Sequence, residues 1–224
     1  MKQVASNIMK GISIVAISLP VRIFEPRSAI QRIADLWSFG PIFLNQAAQS
    51  NDHLERLKLV VVYLISGAYM GCKQLKPFNP LLGETLQGHF EDGTQLYCEH
   101  TSHHPPISNF SIEGKDDLYH MYGHYEYVAK MGTNTLTTKL QGPNNIIFKD
   151  GHHIRFGMID FKIGGTVMGD RTIESVGSVV FEDLTNNRKA VIITNTHKAG
   201  GFFSKKESGR KDEITGIIYE CEKI

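Results

Sequence analysis

The residues of this 224-residue chain whose types and spacing suit chemistry lie in one short run, Glu99-His100-Thr101-Ser102-His103-His104-Pro105-Pro106. Two adjacent histidines precede two prolines. Proline has no N–H and a fixed φ, and it pushes the residue before it out of the helical region. His104 is therefore extended, and the pair cannot lie on a helix. That excludes the metalloprotease arrangement, in which two histidines four residues apart share a helix face. Two imidazoles held at a strand end or in a loop suit an anion. Each donates an N–H, and a bound dianion raises their basicity and makes the bonds charge-assisted. The plainer alternative is a pair of surface histidines in a proline turn.

The elements that must hold this pair follow from periodicity. Ile8, Met9 and Ile12 fit one helical face within residues 1–18, with Ser6 or Asn7 as cap; a frayed terminus is the simpler alternative. Pro20 and Pro26 bound an extended piece. Ser28 starts a helix with Gln31 placed for a capping box; Ala29, Ile30, Ile33, Ala34 and Trp37 form its apolar side, and Gly40-Pro41 stops it. Asn51 or Asp52 opens a longer helix with Leu54, Leu57, Val61, Leu64, Ile65 and Ala68 as its stripe. Both stripes are core-facing.

After Gly83 the pattern changes to short β-branched and aromatic runs broken by Gly, Asn and Asp. Strands are expected at 84–90, 95–100, 107–112, 118–128, 133–140, 146–148, 153–156, 158–163, 173–181 and 189–195, with a last strand-like run at 214–219. Asp92-Gly93 makes a tight hairpin turn, and 114–117 and 183–188 serve similarly. In 118–128 one face is mixed and the other, Tyr119, Met121, Gly123, Tyr125 and Tyr127, is largely aromatic. A meander without helical breaks predicts a sheet closed into a barrel or a sandwich. A barrel of more than about eight strands is too wide for side chains to fill and encloses a cavity.

Composition narrows the function classes. Hydrophobic residues are 41% and charged residues 21%, as in ordinary globular proteins. A net charge of +1 gives no electrostatic case for nucleic acid. No apolar run reaches the ~20 residues of a membrane-spanning helix. The short apolar run 12–19 lacks the small-residue pair of a signal cleavage site. Cys72, Cys98 and Cys221 are too widely spaced for a zinc set or a disulfide framework, which points to reduced thiols in a cytoplasmic setting.

Three blocks carry a resemblance. Glu99–Pro106 resembles the Glu-Gln-Val-Ser-His-His-Pro-Pro signature of the oxysterol-binding protein family of lipid-transfer domains, with His100 and Thr101 in place of Gln and Val. Lys76-Pro77-Phe78-Asn79-Pro80-Leu81-Leu82-Gly83-Glu84-Thr85 is similar to the family's other hallmark. Leu19-Pro20, Phe24-Glu25-Pro26 and Gln31-Arg32 are similar to its N-terminal part. The blocks keep the family order over roughly residues 8 to 205.

The resemblance implies one lipid-binding domain over 1–224. Residues 1–18 would be a lid, 19–75 a helical part with two helices, and 76–224 a mainly β, large, antiparallel, closed or nearly closed barrel around an apolar lipid tunnel. It implies that Lys76, Asn79, His103 and His104 hold a phosphorylated lipid headgroup. That lipid would be phosphatidylinositol 4-phosphate, or phosphatidylserine in some members, with a sterol competing for the tunnel. Taken alone, Lys76 reads as a solvated turn lysine and Asn79 as a turn-capping amide. No catalytic residue, metal or cofactor is expected. The partners implied are membrane lipids met in transient peripheral contact at organelle membranes, and the protein would be a cytoplasmic monomer.

Family members continue past the equivalent of Tyr219 into a C-terminal subdomain that adds a Lys, a Glu and an Arg to the headgroup site. No stretch here matches it, which implies a short member or a fragment. The basic loop with Lys205-Lys206 and Arg210-Lys211 suits an anionic membrane or a solvated hairpin equally. Phe202-Phe203 lacks the acidic flanks of an endoplasmic-reticulum receptor motif. Two rival functions remain. A metal-dependent hydrolase would draw on the ten histidines, including His152-His153, and Glu99, although their spacings form no ligand set. A lipid sensor or scaffold would bind without transfer.

Overall fold

A computed structural model describes residue 21 and residues 24–72, 75–194 and 213–221. The expected lid over 1–18, the Phe202-Phe203 pair and the basic loop lie outside these residues.

The chain begins with β1 (Phe24–Ser28) and α1 (Ala29–Leu36). The Gln31 side chain accepts from the Ser28 backbone N–H at 2.9 Å, the return arm of the expected capping box. Ala29, Ile30, Ile33, Leu36 and the following Trp37 are buried. Gly40-Pro41 does more than stop this helix. It opens a second one, α2 (Gly40–Gln49), because proline's fixed φ and missing N–H cost nothing in a first turn. Among the described residues the helical part therefore has three helices, not two. The third, α3 (His53–Gly71), starts at Asp52, whose carboxylate accepts from the Leu54 N–H at 2.8 Å. Its buried stripe is Arg56, Leu57, Val60, Tyr63, Leu64 and Gly67, turned slightly from the expected one. Gly67 is needed there: a Cβ would stand 2.4 Å from the Leu36 carbonyl oxygen.

The rest is sheet. β2 (Lys76–Phe78) pairs with β1 in parallel. Then come β3 (Thr85–His89), β4 (Gln95–His103), β5 (Pro106–Glu113), β6 (Tyr119–Met131), β7 (Thr135–Gln141), β8 (Asn144–Phe148), β9 (His153–Phe156), β10 (Asp160–Gly164), β11 (Thr172–Asp183), β12 (Arg188–Thr194) and β13 (Ile214–Glu220). These eleven strands, β3 to β13, form one sheet. β6 pairs with both β7 and β8, and β11 with both β9 and β10. Glu126 faces Gln141 and Gly123 faces Asn144, three residues apart on either side, so β7 and β8 continue one register on β6. The ladder breaks between them at Gly142-Pro143, where Gly142 has φ +145° and Pro143 has no N–H to give. β9 and β10 are likewise two parts of one strand. Phe156 faces Phe181 and Asp160 faces Val176, so four steps oppose five, a bulge next to Gly177 at φ +90°.

Counted this way, the sheet is a nine-stranded antiparallel meander in which each strand's neighbours are its neighbours in sequence. The expected large antiparallel sheet is present. Among the described residues β3 and β13 are its edges, so the sheet curves without closing into a barrel.

The three helices cover one face of one half of this sheet. Trp37 is fully buried with its ring 5.2 Å from Tyr63, 5.7 Å from Phe110, 6.4 Å from Tyr125 and 6.3 Å from Phe156. The expected alternation in β6 holds: Tyr119, Met121 and Tyr125 point into this core. On α3 itself, Arg56 joins three elements. Its guanidinium donates to the Ala47 and Ser50 carbonyls at 2.9 and 2.8 Å and to Asp150 at 2.6 Å, and it lies 3.2 Å from His152 Nδ1. His152 in turn meets Asp183 at 2.9 Å, and both are buried.

Candidate functional site

The four residues that sequence singles out fall into two pairs. Lys76 sits in β2, opposite Phe24, with its ammonium 4.9 Å above the Phe24 ring. It donates to the Asn79 side-chain oxygen at 2.9 Å and to the Pro77 carbonyl at 3.1 Å. Two consequences follow from the donor inventory. The ammonium keeps one N–H to offer, and the exposed Asn79, its oxygen taken, keeps its NH₂ as a donor. Partial burial lowers the Lys76 pKa, so an incoming anion relieves a desolvated cation.

Arg32 on α1 fixes this strand. It donates to the Met70 carbonyl at 3.1 Å and the Leu75 carbonyl at 3.0 Å and pairs with Glu25, which is buried in β1. α1 packs on β2 as well as on β3 and β4, and so underlies both halves of the site.

His103 ends β4 and faces Pro106, so His104 and Pro105 are the tip of a two-residue turn. Both imidazoles are exposed, with ring centroids 5.0 Å apart. Gly83 and Glu84 bring the other block to this strand: the Gly83 N–H donates to the His100 carbonyl and the His100 N–H to the Glu84 carbonyl, each at 2.9 Å. Asn79 is five residues before Glu84, so chain reach alone keeps it within about 18 Å of His100's partner. Among the described residues no hydrogen bond joins Lys76 or Asn79 to a histidine.

A third imidazole belongs to the cluster. His100 is fully buried, 2.9 Å from Ser108 Oγ and 3.4 Å from His103 Nδ1. Burial, then the neighbouring His103, lower its pKa, against a pull upward from Glu84. Alternation along Leu96, Cys98 and His100 identifies His100 as inward, but the same alternation puts His103 on the other face. A bulge reverses this. His100 faces Ser108 and Ser102 faces Ile107, so two steps on β4 oppose one on β5, and His103 returns to the side of His100. Glu99 points outward and is exposed. Among the described residues no cluster of histidine, cysteine and carboxylate suits a metal ion.

Register also defines an apolar bed. Leu136 faces Ile163, Thr138 faces Phe161, and Ile163 faces Ile173, so these side chains and Leu140 share a face. Leu140 and Phe161 pack on the core, so this face continues the core beyond the helices, half-buried. Two surface cavities of about 260 Å³ each lie elsewhere. One is between Leu54, Lys58 and Arg188, the other at the hairpin ends around Asn134 and Gly165.

The family model for oxysterol-binding protein matches residues 1–224. The chain belongs to the oxysterol-binding protein family. Oxysterol-binding protein 9 of Dictyostelium discoideum is 38% identical over 221 residues, 97% of this chain and 51% of that protein. Oxysterol-binding protein-related protein 5 of Mus musculus is 30% identical over 223 residues, 96% of this chain and 25% of that one. Among solved structures, the Osh1 ORD domain in complex with ergosterol superposes with a TM-score of 0.79 at 26% identity, over 92% of this chain and 48% of that one. The Osh3 ORD of Saccharomyces cerevisiae in complex with PI(4)P gives 0.76 at 26%, over 93% and 59%. The chain thus spans between 25% and 59% of the length of these relatives. As a member of this family it shares the β-rich fold of these ORD domains.

Proposed function

We propose that this chain binds single membrane lipids, a sterol or phosphatidylinositol 4-phosphate, and carries them between membranes. The observation that supports this most directly is the arrangement of N–H donors. His103 and His104 stand at the end of β4, and the Lys76–Asn79 pair precedes the strand beside it. A phosphate oxygen attracts such donors, and the half-buried apolar face of β7, β10 and β11 suits acyl chain or sterol rings. Each buried methylene contributes about 0.8 kcal/mol before ordering costs. The protein binds its lipid without converting it, and acts in the cytoplasm as a monomer in transient contact with organelle membranes.

The test is a double variant, His103→Ala with His104→Ala. It should lose PI(4)P extraction from vesicles and keep binding a fluorescent sterol. Unchanged extraction would remove the site from consideration. Transfer is read separately, between donor and acceptor vesicles; binding without transfer identifies a sensor.

A further inference from the structure

The imidazoles at the end of β4 form a chain of three. Both ring nitrogens of His100 are engaged, Nδ1 with Ser108 Oγ at 2.9 Å and Nε2 with His103 Nδ1 at 3.4 Å. Ser108 is fully buried too, directly opposite His100 on β5. The His100 backbone is pinned through both its carbonyl and its N–H by Gly83 and Glu84. His103 is exposed, so the nitrogen it offers a ligand is Nε2.

A neutral imidazole has one N–H donor and one acceptor nitrogen. Protons can be arranged along this chain in two ways, and only one suits an anion. If Ser108 donates to His100 Nδ1, then His100 Nε2–H donates to His103 Nδ1, and His103 carries its proton on Nε2, facing out. In the reverse arrangement His103 presents a bare lone pair, which repels a phosphate oxygen.

We infer that His100 is a positioning residue, which through His103 Nδ1 holds His103 as an Nε2–H donor to a phosphate oxygen. The inference rests on the anion-site reading above. His100 fills the place that the family signature gives to glutamine, whose amide also donates and accepts. Leucine does neither. The relay works with His100 neutral, the state that its burial favours.

Two-bond ¹H–¹⁵N correlation spectra of histidine-labelled protein at pH 7.5 read the tautomer directly, with and without dioctanoyl PI(4)P. Binding to PI(4)P vesicles is measured alongside. His103 should be the Nε2–H tautomer in the wild type and in His100→Gln, which keeps vesicle affinity within a few-fold. His100→Leu should show mixed tautomers and bind about tenfold more weakly, the loss of one such bond. Ser108→Ala perturbs the chain from its far end, leaves His100 in place, and should shift His103 in the same direction. The inference is overturned by an Nδ1–H tautomer in the wild type, or by an unchanged tautomer and affinity in His100→Leu. Wild-type protein that binds no PI(4)P vesicles overturns the anion-site reading instead, and the inference with it, whatever the tautomer.

Discussion

Lys76 and Asn79 make a donor pair only because one of them is an amide. The Asn79 oxygen takes one ammonium proton and leaves the NH₂ free. Asn79→Asp keeps the contact to Lys76, removes the amide donors and adds a negative charge. It should weaken PI(4)P vesicle binding by tenfold or more, since a charge-assisted hydrogen bond contributes about 1.5–3 kcal/mol. Sedimentation with PI(4)P vesicles checks this, and equal binding by the variant would show that Asn79 faces no phosphate. At this scale the sequence was readable where residue type alone speaks. The prolines placed the histidine pair, and their spacing from a strand end was visible. The meeting of His103 with the inward His100 was hidden by the bulge at Thr101, since alternation assumes an unbroken register.

Among the elements, α2 shows where reading stopped short: Gly-Pro ends one helix and begins another, and only packing decides that the second forms. Arg56, on α3, shows what packing adds. It ties the end of α2 to the turn before β9. Arg56→Ala orphans the Ala47 and Ser50 carbonyls and should cost about 3 kcal/mol in urea unfolding. Arg56→Lys should recover little, because a point charge cannot serve the same fork of acceptors. Full recovery by lysine would reduce the network to a charge effect.

The same network sets a pH dependence. Burial lowers the His152 pKa despite the pull of Asp183, and lowers that of His100. The unfolded chain then binds more protons than the folded one once pH drops below the ordinary histidine value of about 6.5. The stability is fully present above that value and is lost as pH falls through the lowered folded values. Asp150 and Asp183, whose pKa values are also lowered, keep their contribution until the pH falls below the ordinary carboxylate range. The melting temperature should therefore fall from pH 7.5 to pH 5, and less steeply in His152→Gln. An identical slope in that variant would assign the effect to other groups.

For the whole molecule, the order of strands was readable and the closure was not. Turn residues such as Asp92-Gly93 cut the chain into consecutive hairpins, and consecutive hairpins can only make a meander. Whether its ends meet depends on curvature, which side-chain types do not encode. The outcome is uneven. Buried apolar residues come from β4, β5, β6, β8, β9, β11 and β12, beneath the helices, whereas β13 contributes none. Among the described residues β13 pairs with β12 alone, with Ile217 63% exposed and only Ile218 packed on the core. Opening free energy follows buried apolar contact, so it should decline across the sheet from β5 to β13. Hydrogen exchange of the 224-residue chain should show β13 amides exchanging first and β5 amides last. Ile217→Lys, a charge on an exposed edge, should slow aggregation with a stability change within about 0.5 kcal/mol. If β13 is as protected as β5, something covers that edge in solution.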